Sequence, residues 1–254
     1  MHDIMQVILI YFCLVFVLAK GKDYQNSTLP SFLKVCHQTD PNLNDCIKKA
    51  VERIKPMLAK GISDFGIPSL EPLRISKILI DQGSGAISLR STYTDIEVYG
   101  PSNFTLQSVK IDLKKDRVRI KLFLPQLRVV GIYNMEGRIF MMPISGKGES
   151  YGNYSDIDVT VTMQGQRINK DLMEYFSIKD FYVDFVLGHV SIKLNNLFNG
   201  DKQLGDAMNT FINDNWQSVV KEVKPILEDN IAKIFKNMTN TIFEKYPLNV
   251  VLPE

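Results

Sequence analysis

Hydrophobic and polar positions alternate along the middle of the chain. The pattern runs from about Leu73 to Leu197 and is clear in the segments DIDVTVTM at 156–163 and VSIKLNN at 190–196. A period of two over so long a stretch predicts antiparallel strands with one apolar and one polar face. The central part of the chain is therefore predicted to be a curved antiparallel sheet.

Turns within this stretch are predicted from polar and glycine-containing segments. Lys114–Asp116 separates two alternating runs and predicts a hairpin. The segment NMEG at 134–137 predicts a second turn. His189 follows Gly188 and is interpreted as a turn residue between strands rather than as a catalytic base.

A helical period precedes the sheet. Apolar residues from Cys46 to Leu58 recur at intervals of three and four, and Gly61 follows the end of the pattern. Asn44 or Asp45 is expected to cap this helix at its start. The pattern predicts an amphipathic helix of about four turns.

A second and much longer helical period follows the sheet, from Gly200 to about Phe243. About 40 residues in one helix would extend roughly 60 Å, and Pro225 is expected to kink it. One side of this helix is a bulky apolar stripe, so something must cover it. The apolar face of the sheet is the natural cover, and the fold class predicted is α+β, with one long C-terminal helix wrapped by a strongly curved antiparallel sheet. The pattern alone leaves open whether the space between them is a filled core or a tunnel for an apolar ligand.

The first residues have the composition of a targeting signal. The apolar run from Val7 to Ala19 is too short for a good membrane span, and small residues at Ala19 and Gly21 suit cleavage. We therefore expect a signal peptide at 1–21 and one domain at 22–254; an N-terminal membrane anchor is the alternative. Four sequons support a secreted, extracellular protein and give the expected glycosylation sites Asn26, Asn103, Asn153 and Asn237.

Charge and motifs argue against several classes of function. The formal net charge is +2, which provides no strong field for nucleic acid or anionic lipid. The sequence has no Gly-x-Ser-x-Gly elbow and no His-Glu-x-x-His, and GKGESY at 146–151 lacks the third glycine of a dinucleotide loop. Cys36 and Cys46 form an even pair suited to one disulfide, with no further Cys nearby to make a zinc site. We therefore expect no catalysis, no metal, no cofactor and no nucleic-acid partner.

Three segments resemble the takeout and juvenile hormone-binding protein family of insects. They are LPSFLKVCHQTDPNLNDCIKKAVERIKPMLAKGISDFGIPSLEPL at 29–73, LPQLRVVGIYNMEGRIFMMPISGKG at 124–148 and FNGDKQLGDAMNTFINDNW at 198–216. The resemblance covers nearly the whole mature chain in the family's order. It implies a disulfide between Cys36 and Cys46, a long helix wrapped by a curved sheet, and an internal hydrophobic tunnel.

The resemblance also implies a non-catalytic carrier of terpenoids, fatty acids or related lipids. The residues expected to line the tunnel lie on the C-terminal helix and on three strands: Met208, Phe211, Ile212, Trp216, Val219, Val223, Leu227, Phe235, Ile120, Leu122, Val159, Val161 and Ile192. The alternative function is a membrane-surface or protein-interaction module that uses the amphipathic helix. Acidic and basic residues are mixed on the polar side of that helix, which suits solvent better than anionic lipid, and no stable membrane insertion is expected.

Overall fold

The alternating stretch forms six strands in the structure, a computed structural model that describes residues 34–63, 66–83 and 85–254. The strands are β1 (Leu73–Gln82), β2 (Ile87–Tyr99), β3 (Thr105–Asp112), β4 (Arg117–Ile139), β5 (Met142–Lys170) and β6 (Met173–Leu194). The chain divides between Ser31 and Phe32, and the described residues all lie in the second part. The predicted signal peptide and the sequon at Asn26 lie outside the described residues.

All strand pairs are antiparallel, and the order across the sheet is β1-β2-β4-β5-β6, with β3 also paired to β4. β4 is paired with β5 from Arg117 opposite Gln164 to Ile139 opposite Met142, and β5 continues beyond this pairing to Lys170. The pairing shifts at bulges in β2, β3 and β6, and bulges increase the local twist of a sheet. The result is a curled half-barrel with β1 and β6 as its edge strands.

The turn predictions were partly right. The hairpin at Lys114–Asp116 is confirmed between β3 and β4. The turn predicted at 134–137 is wrong, because this segment lies inside β4 and the chain reverses after Ile139. Gly137 allows β2 and β4 to approach closely, since a Cβ on it would lie 2.2 Å from the carbonyl oxygen of Ser88. The interpretation of His189 as a turn residue is also wrong, because His189 lies in β6 opposite Ser155.

Four α-helices flank the sheet in the described residues: α1 (Leu43–Lys60), α2 (Lys202–Asp214), α3 (Trp216–Phe243) and α4 (Leu248–Val251). α1 confirms the first helical prediction, and Gly61 ends it with φ of 83°. Its start differs from the prediction, because Asn42 is the N-cap residue. The Asn44 side chain instead accepts a hydrogen bond from Ile111 N–H at 2.9 Å and so joins α1 to β3.

The C-terminal helical stretch is two helices rather than the single one predicted. The break is at Asn215, whose φ and ψ are −114° and 22°. Its side-chain amide donates to the carbonyl oxygen of Phe211 at 2.9 Å. Asn209 and Asn230 make the same kind of contact within unbroken helix, so this contact does not by itself explain the break. Pro225 lies within α3, which continues through it.

The helices contact the sheet at different strands. α1 contacts β3, α2 contacts β6, and α3 contacts both β6 and β1. Since β1 and β6 are the two edges of the sheet, its curl brings both edges to the same helix. This arrangement confirms the predicted α+β fold with a C-terminal helix inside a curved antiparallel sheet.

Candidate functional site

Three apolar clusters of the described residues lie between the helices and the sheet. The first, here the α2 cluster, contains Met208 and Ile212 of α2, packed with the fully buried Tyr133 and Ile87. The second, the α3 cluster, is centred on Ala232 of α3 with Ile157 and Phe185 of the sheet. The third, the α1 cluster, contains Phe104, Leu106 and Val109 with Ile47 and Val51 of α1. Leu124 packs against both the α3 and the α1 clusters and so connects them.

The predicted tunnel residues are divided among these clusters. Met208, Phe211, Ile212, Val219 and Ile192 belong to the α2 cluster, Leu227, Val159 and Val161 to the α3 cluster, and Ile120 and Leu122 to the α1 cluster. Val223 is 9% exposed and Phe235 is half-buried. The set therefore follows the length of the sheet's inner face and is not gathered at one point.

Trp216 occupies a different environment from the rest of this set. Its ring meets the ring of His189 edge-on, with the ring centroids 6.3 Å apart. His189 is exposed, whereas Trp216 is half-buried. Trp216 is thus in contact with the exposed side of the β6 edge.

Several apolar side chains of the α2 and α3 clusters retain accessible surface. Val159 and Val161 are half-buried on β5, and Leu227 is half-buried on α3. Phe211 and Val219 of the α2 cluster are half-buried as well. In a close-packed interior such side chains lose nearly all of their surface. Partial accessibility on both facing layers fits side chains that border a space between the helix and the sheet.

Polar groups are also present on the inner face. Tyr93 packs against the α2 cluster and Tyr154 against the α3 cluster, and both are half-buried. Burial raises the pKa of both hydroxyls, and a charge on Tyr93 further raises the pKa of Tyr154. Both phenols therefore lie among the side chains of the inner face and not in open solvent.

Ser91 is the third polar residue of this region. Only 1% of it is exposed, and its hydroxyl lies close enough to that of Tyr93 to oppose in part the rise that burial causes in the pKa of Tyr93. Ser91, Tyr93 and Tyr154 were not predicted from the sequence. A signal was nevertheless present, because the alternation of β2 places Ser91 on the same face as the apolar Ile87 and Leu89.

The motif at 124–148 has a structural role. Tyr133 donates a hydrogen bond from its hydroxyl to the carbonyl oxygen of Asn195 at 2.7 Å. Burial, followed by the proximity of Tyr93, raises the pKa of Tyr133 to about 12. Gly146 makes room for this contact, because a Cβ there would lie 2.8 Å from the Tyr133 hydroxyl and 3.0 Å from Leu197 Cα. These motif residues join β4 and β5 to the end of β6.

A separate surface cavity of about 520 Å³ lies beside the disulfide. Cys36 and Cys46 are bonded as expected, with their Cα atoms 5.9 Å apart. The cavity is lined mainly by polar and charged residues, including Lys34, His37, Asp40, Asp45 and Lys49. This lining does not suit an apolar ligand, so we do not assign the predicted site to it.

Other features bear on the predicted modifications and on membranes and metals. Asn103, Asn153 and Asn237 are all exposed. Among the described helices, none is both long enough and apolar enough to cross a membrane. Within the same residues, no group of three or more His, Cys, Asp or Glu side chains could hold a metal ion.

Comparisons with known proteins agree with this architecture. The family model for haemolymph juvenile hormone binding protein matches residues 11–253. The structure is similar to the crystal structure of Epiphyas postvittana Takeout 1, with a TM-score of 0.74, 27% identity, and coverage of 87% of this chain and 100% of that one.

Two curated relatives cover a similar share of the chain. The circadian clock-controlled protein daywake of Drosophila melanogaster is 25% identical over 226 residues, which is 86% of each chain. A putative beta-carotene-binding protein of Schistocerca gregaria is 18% identical over 223 residues, 87% of this chain and 88% of that one. With a family model that spans almost the whole sequence and a matching takeout fold, the chain belongs to the haemolymph juvenile hormone binding protein family.

Proposed function

We propose that the protein is a secreted, non-catalytic carrier that binds a small apolar molecule between α3 and the inner face of the sheet. The observation that supports this most directly is the partial accessibility of facing apolar side chains, Val159 and Val161 on β5 and Leu227 on α3. The family is named for a binding protein of haemolymph, and one relative is named for binding beta-carotene. A terpenoid, a fatty acid or a related lipid is the proposed ligand class.

The energetics allow such binding without a charged anchor. Burial of a ligand with about fifteen methylene equivalents yields roughly 12 kcal/mol. Association and ordering cost at least about 4 kcal/mol. The remaining ~8 kcal/mol corresponds to a dissociation constant near micromolar. An apolar space of matching shape is therefore sufficient to hold a sesquiterpenoid or a fatty acid.

The location of the helix stripe disfavours the alternative, in which the amphipathic helix lies on a membrane. Met208 and Ile212 of α2 are 5% and 3% exposed and pack into the α2 cluster. α3 places Ala232 against the sheet, where it is 9% exposed. An interfacial helix needs its apolar face free to enter the lipid. Here that face is covered by the sheet.

A displacement assay tests the proposal. Delipidated protein is loaded with an uncharged fluorescent probe such as N-phenylnaphthylamine and titrated with terpenoid alcohols and fatty acids. Displacement in the micromolar range is expected. A protein that binds neither the probe nor any competitor would contradict the carrier function. Native mass spectrometry of protein from its natural source would identify a co-purified lipid directly.

Emission from Trp216 provides a second measurement, because it is the only tryptophan of the sequence. We retain Trp216 among the proposed site residues. If it borders the ligand, its emission shifts or is quenched during displacement. If binding is established by the probe and the emission stays constant, Trp216 is removed from the site.

Secretion and glycosylation are part of the same proposal. The exposed Asn103, Asn153 and Asn237 are proposed glycan sites, together with Asn26. Expression in insect cells followed by glycosidase treatment tests them. If a glycan is present, its removal by the glycosidase reduces the mass of the secreted protein. An unchanged mass would contradict the assignment.

A further inference from the structure

Two sequons of the described residues follow an aromatic side chain at the same spacing. Tyr151 precedes Asn153 by two positions, and Phe235 precedes Asn237 by two positions. Asn153 lies in β5, whereas Asn237 lies in α3. The sequence pattern is therefore the same in both places, but the backbone places the aromatic ring differently relative to the asparagine.

The strand places Tyr151 and Asn153 on one face of the sheet. Side chains two residues apart on a strand share a face, and the residue between them points to the other face. Gly152 is buried, Asn153 is exposed and Tyr151 is half-buried, so the shared face is the outer one. A glycan attached to Asn153 would begin beside the Tyr151 ring.

The helix separates the corresponding pair. Residues two positions apart on an α-helix lie about 200° apart around its axis. Asn237 is exposed, and Phe235 is half-buried. The Phe235 ring is thus directed away from a glycan on Asn237. The molecule therefore contains an internal comparison in which only β5 brings the aromatic ring and the glycan site together.

A cation lies next to Asn153 on the same face. Arg128 of β4 is directly opposite Asn153, and Tyr99 of β2 is directly opposite Arg128. Residues in such positions have Cβ atoms about 4.5–5.5 Å apart. The exposed Arg128 guanidinium packs over the Tyr99 ring, 5.6 Å from its centroid. This cation–π contact holds the guanidinium beside Asn153.

The Tyr151 ring is also held in place on the sheet. Its hydroxyl donates a hydrogen bond to the Glu149 carboxylate at 2.9 Å. Glu149 and Asn153 lie on opposite sides of Tyr151 along the strand. The polar end of the ring is therefore turned toward Glu149, and the part of the ring nearer Asn153 is apolar.

We propose that Tyr151 and Arg128 form a platform for the first N-acetylglucosamine of a glycan on Asn153. This inference rests on the glycosylation proposed above and adds that this glycan packs against the sheet. The C–H bonds on one face of the sugar ring can lie against the negative face of the tyrosine ring. The guanidinium can donate hydrogen bonds to the hydroxyl and acetamide oxygens of the sugar. The packed sugar stabilises β4 and β5, whereas a glycan on Asn237 extends into solvent.

Thermal unfolding of glycosylated protein secreted from insect cells tests the platform. Asn153→Gln removes the glycan and should lower Tm by about 2–4 °C, the shift that one modest contact produces in a chain of this size. In Tyr151→Leu, which keeps an apolar side chain but lacks the ring, the same removal should change Tm by less than about 1 °C. Tyr151→Phe keeps the ring and should restore the wild-type effect.

Three controls separate the glycan from other causes. Ser155→Ala removes the sequon but keeps Asn153, and it should lower Tm as Asn153→Gln does. Asn237→Gln should have the same effect on Tm whether or not Tyr151 is replaced. Tyr182→Leu replaces a tyrosine of β6 that is 62% exposed, and in this variant the loss of the Asn153 glycan should keep its wild-type effect.

Trimming the glycans with an endoglycosidase to the first N-acetylglucosamine tests which sugar makes the contact. The difference in Tm between wild type and Asn153→Gln should persist after trimming. A difference that disappears on trimming would overturn the assignment of the platform to the first sugar.

Mass spectrometry of the peptide that contains Asn153 establishes its occupancy. An unoccupied Asn153 would overturn the platform together with the glycosylation proposed at this residue. An occupied Asn153 whose glycan has the same effect on Tm in wild type and in Tyr151→Leu would overturn the platform alone. Neither result affects the carrier function, which the displacement assay tests independently.

Discussion

The side-chain amide of Asn213 pairs with both backbone groups of Ile192. Its Oδ1 accepts from Ile192 N–H at 2.8 Å, and its Nδ2 donates to the Ile192 carbonyl oxygen at 2.7 Å. Asn209 makes the same pair of contacts with Leu194, and Asn240 makes it with Ile178. Three amides of α2 and α3 thus take the place of a neighbouring strand along β6. Unpaired edge strands promote association between chains, and these amides satisfy the edge within the molecule.

Loss of one of these amides should weaken the fold. In Asn213→Ala, the N–H and the C=O of Ile192 both lose their partner, and we expect the free energy of unfolding to fall by about 1–3 kcal/mol. Urea denaturation measures the change. Gln217→Ala is the control, because Gln217 is exposed in the following helix. If both variants have wild-type stability, the amide contacts with β6 do not contribute to the fold.

A second predicted effect depends on pH. Glu71 accepts hydrogen bonds from Gly100 N–H, Ser102 N–H and Ser102 Oγ at 2.7–2.9 Å. Burial raises the pKa of the Glu71 carboxyl, but these hydrogen bonds outweigh burial and hold the pKa below its ordinary value. Its stabilising effect is therefore complete above the ordinary pKa and is lost as the pH falls through the lower, folded value.

Glu71→Gln should accordingly be less stable than wild type at neutral pH, by about 1–3 kcal/mol for charge-assisted hydrogen bonds. The difference should shrink as the pH is lowered, because wild type loses its carboxylate while the variant has none to lose. Urea unfolding at a series of pH values measures it. A difference that stays constant down to acid pH would show that ionisation of Glu71 does not stabilise the fold.

A third prediction concerns the glycine of the NMEG segment. Gly137 has φ of +151°, and a Cβ there would lie 2.2 Å from Ser88 O, a backbone atom that cannot rotate away. Gly137→Ala should destabilise the protein by more than about 2 kcal/mol. Gly83→Ala is the matched control, since a Cβ at Gly83 meets no heavy atom within 4 Å. Equal thermal stability of the two variants would mean that β2 and β4 can separate at this point without cost.

Much of the fold could be predicted from periodicity, because each layer has a single buried face. The alternation of β5 and the helical period after Gly200 both gave the correct element. The errors arose at residue types that occur in more than one structural setting. A glycine, for example, is found both in turns and where two strands approach closely. Gly137 and Gly188 were interpreted as turn residues or their neighbours, but the glycines lie inside long strands. Asn215 had no signal that distinguished it from the other asparagines of the helical stretch.

The candidate site was less predictable than the fold. Alternation tells which face of a strand is buried, but it does not tell how deep a side chain lies or which helix covers it. Ile120 and Val161 are cross-strand neighbours, yet one packs against the α1 cluster and the other against the α3 cluster. Which cluster a strand residue joins depends on contacts between the sheet and the helix that packs over it. Such contacts cannot be obtained from the pattern of either strand alone.

A fourth prediction concerns the length of the ligand. If binding comes mainly from apolar burial, each methylene that still fits should add up to about 0.8 kcal/mol, or roughly fourfold in affinity. The gain should stop when the chain fills the space. Primary alcohols of graded length, tested by probe displacement, give the length at which affinity stops rising. Affinity that is independent of length from the start would contradict apolar burial as the source of binding.

A larger side chain within the space should shorten this limit. Val159 is half-buried in the α3 cluster, so Val159→Phe is expected to place its ring in the ligand's path. Affinity for short alcohols should be kept, and affinity for the longest should fall by at least one methylene step, about fourfold. Thr160→Phe adds a ring on the opposite face of the same strand and should leave the limit unchanged. Unfolding curves of both variants are needed, because overpacking can itself cost about 1–3 kcal/mol. A wild-type length limit in a stably folded Val159→Phe would remove this part of β5 from the proposed binding site.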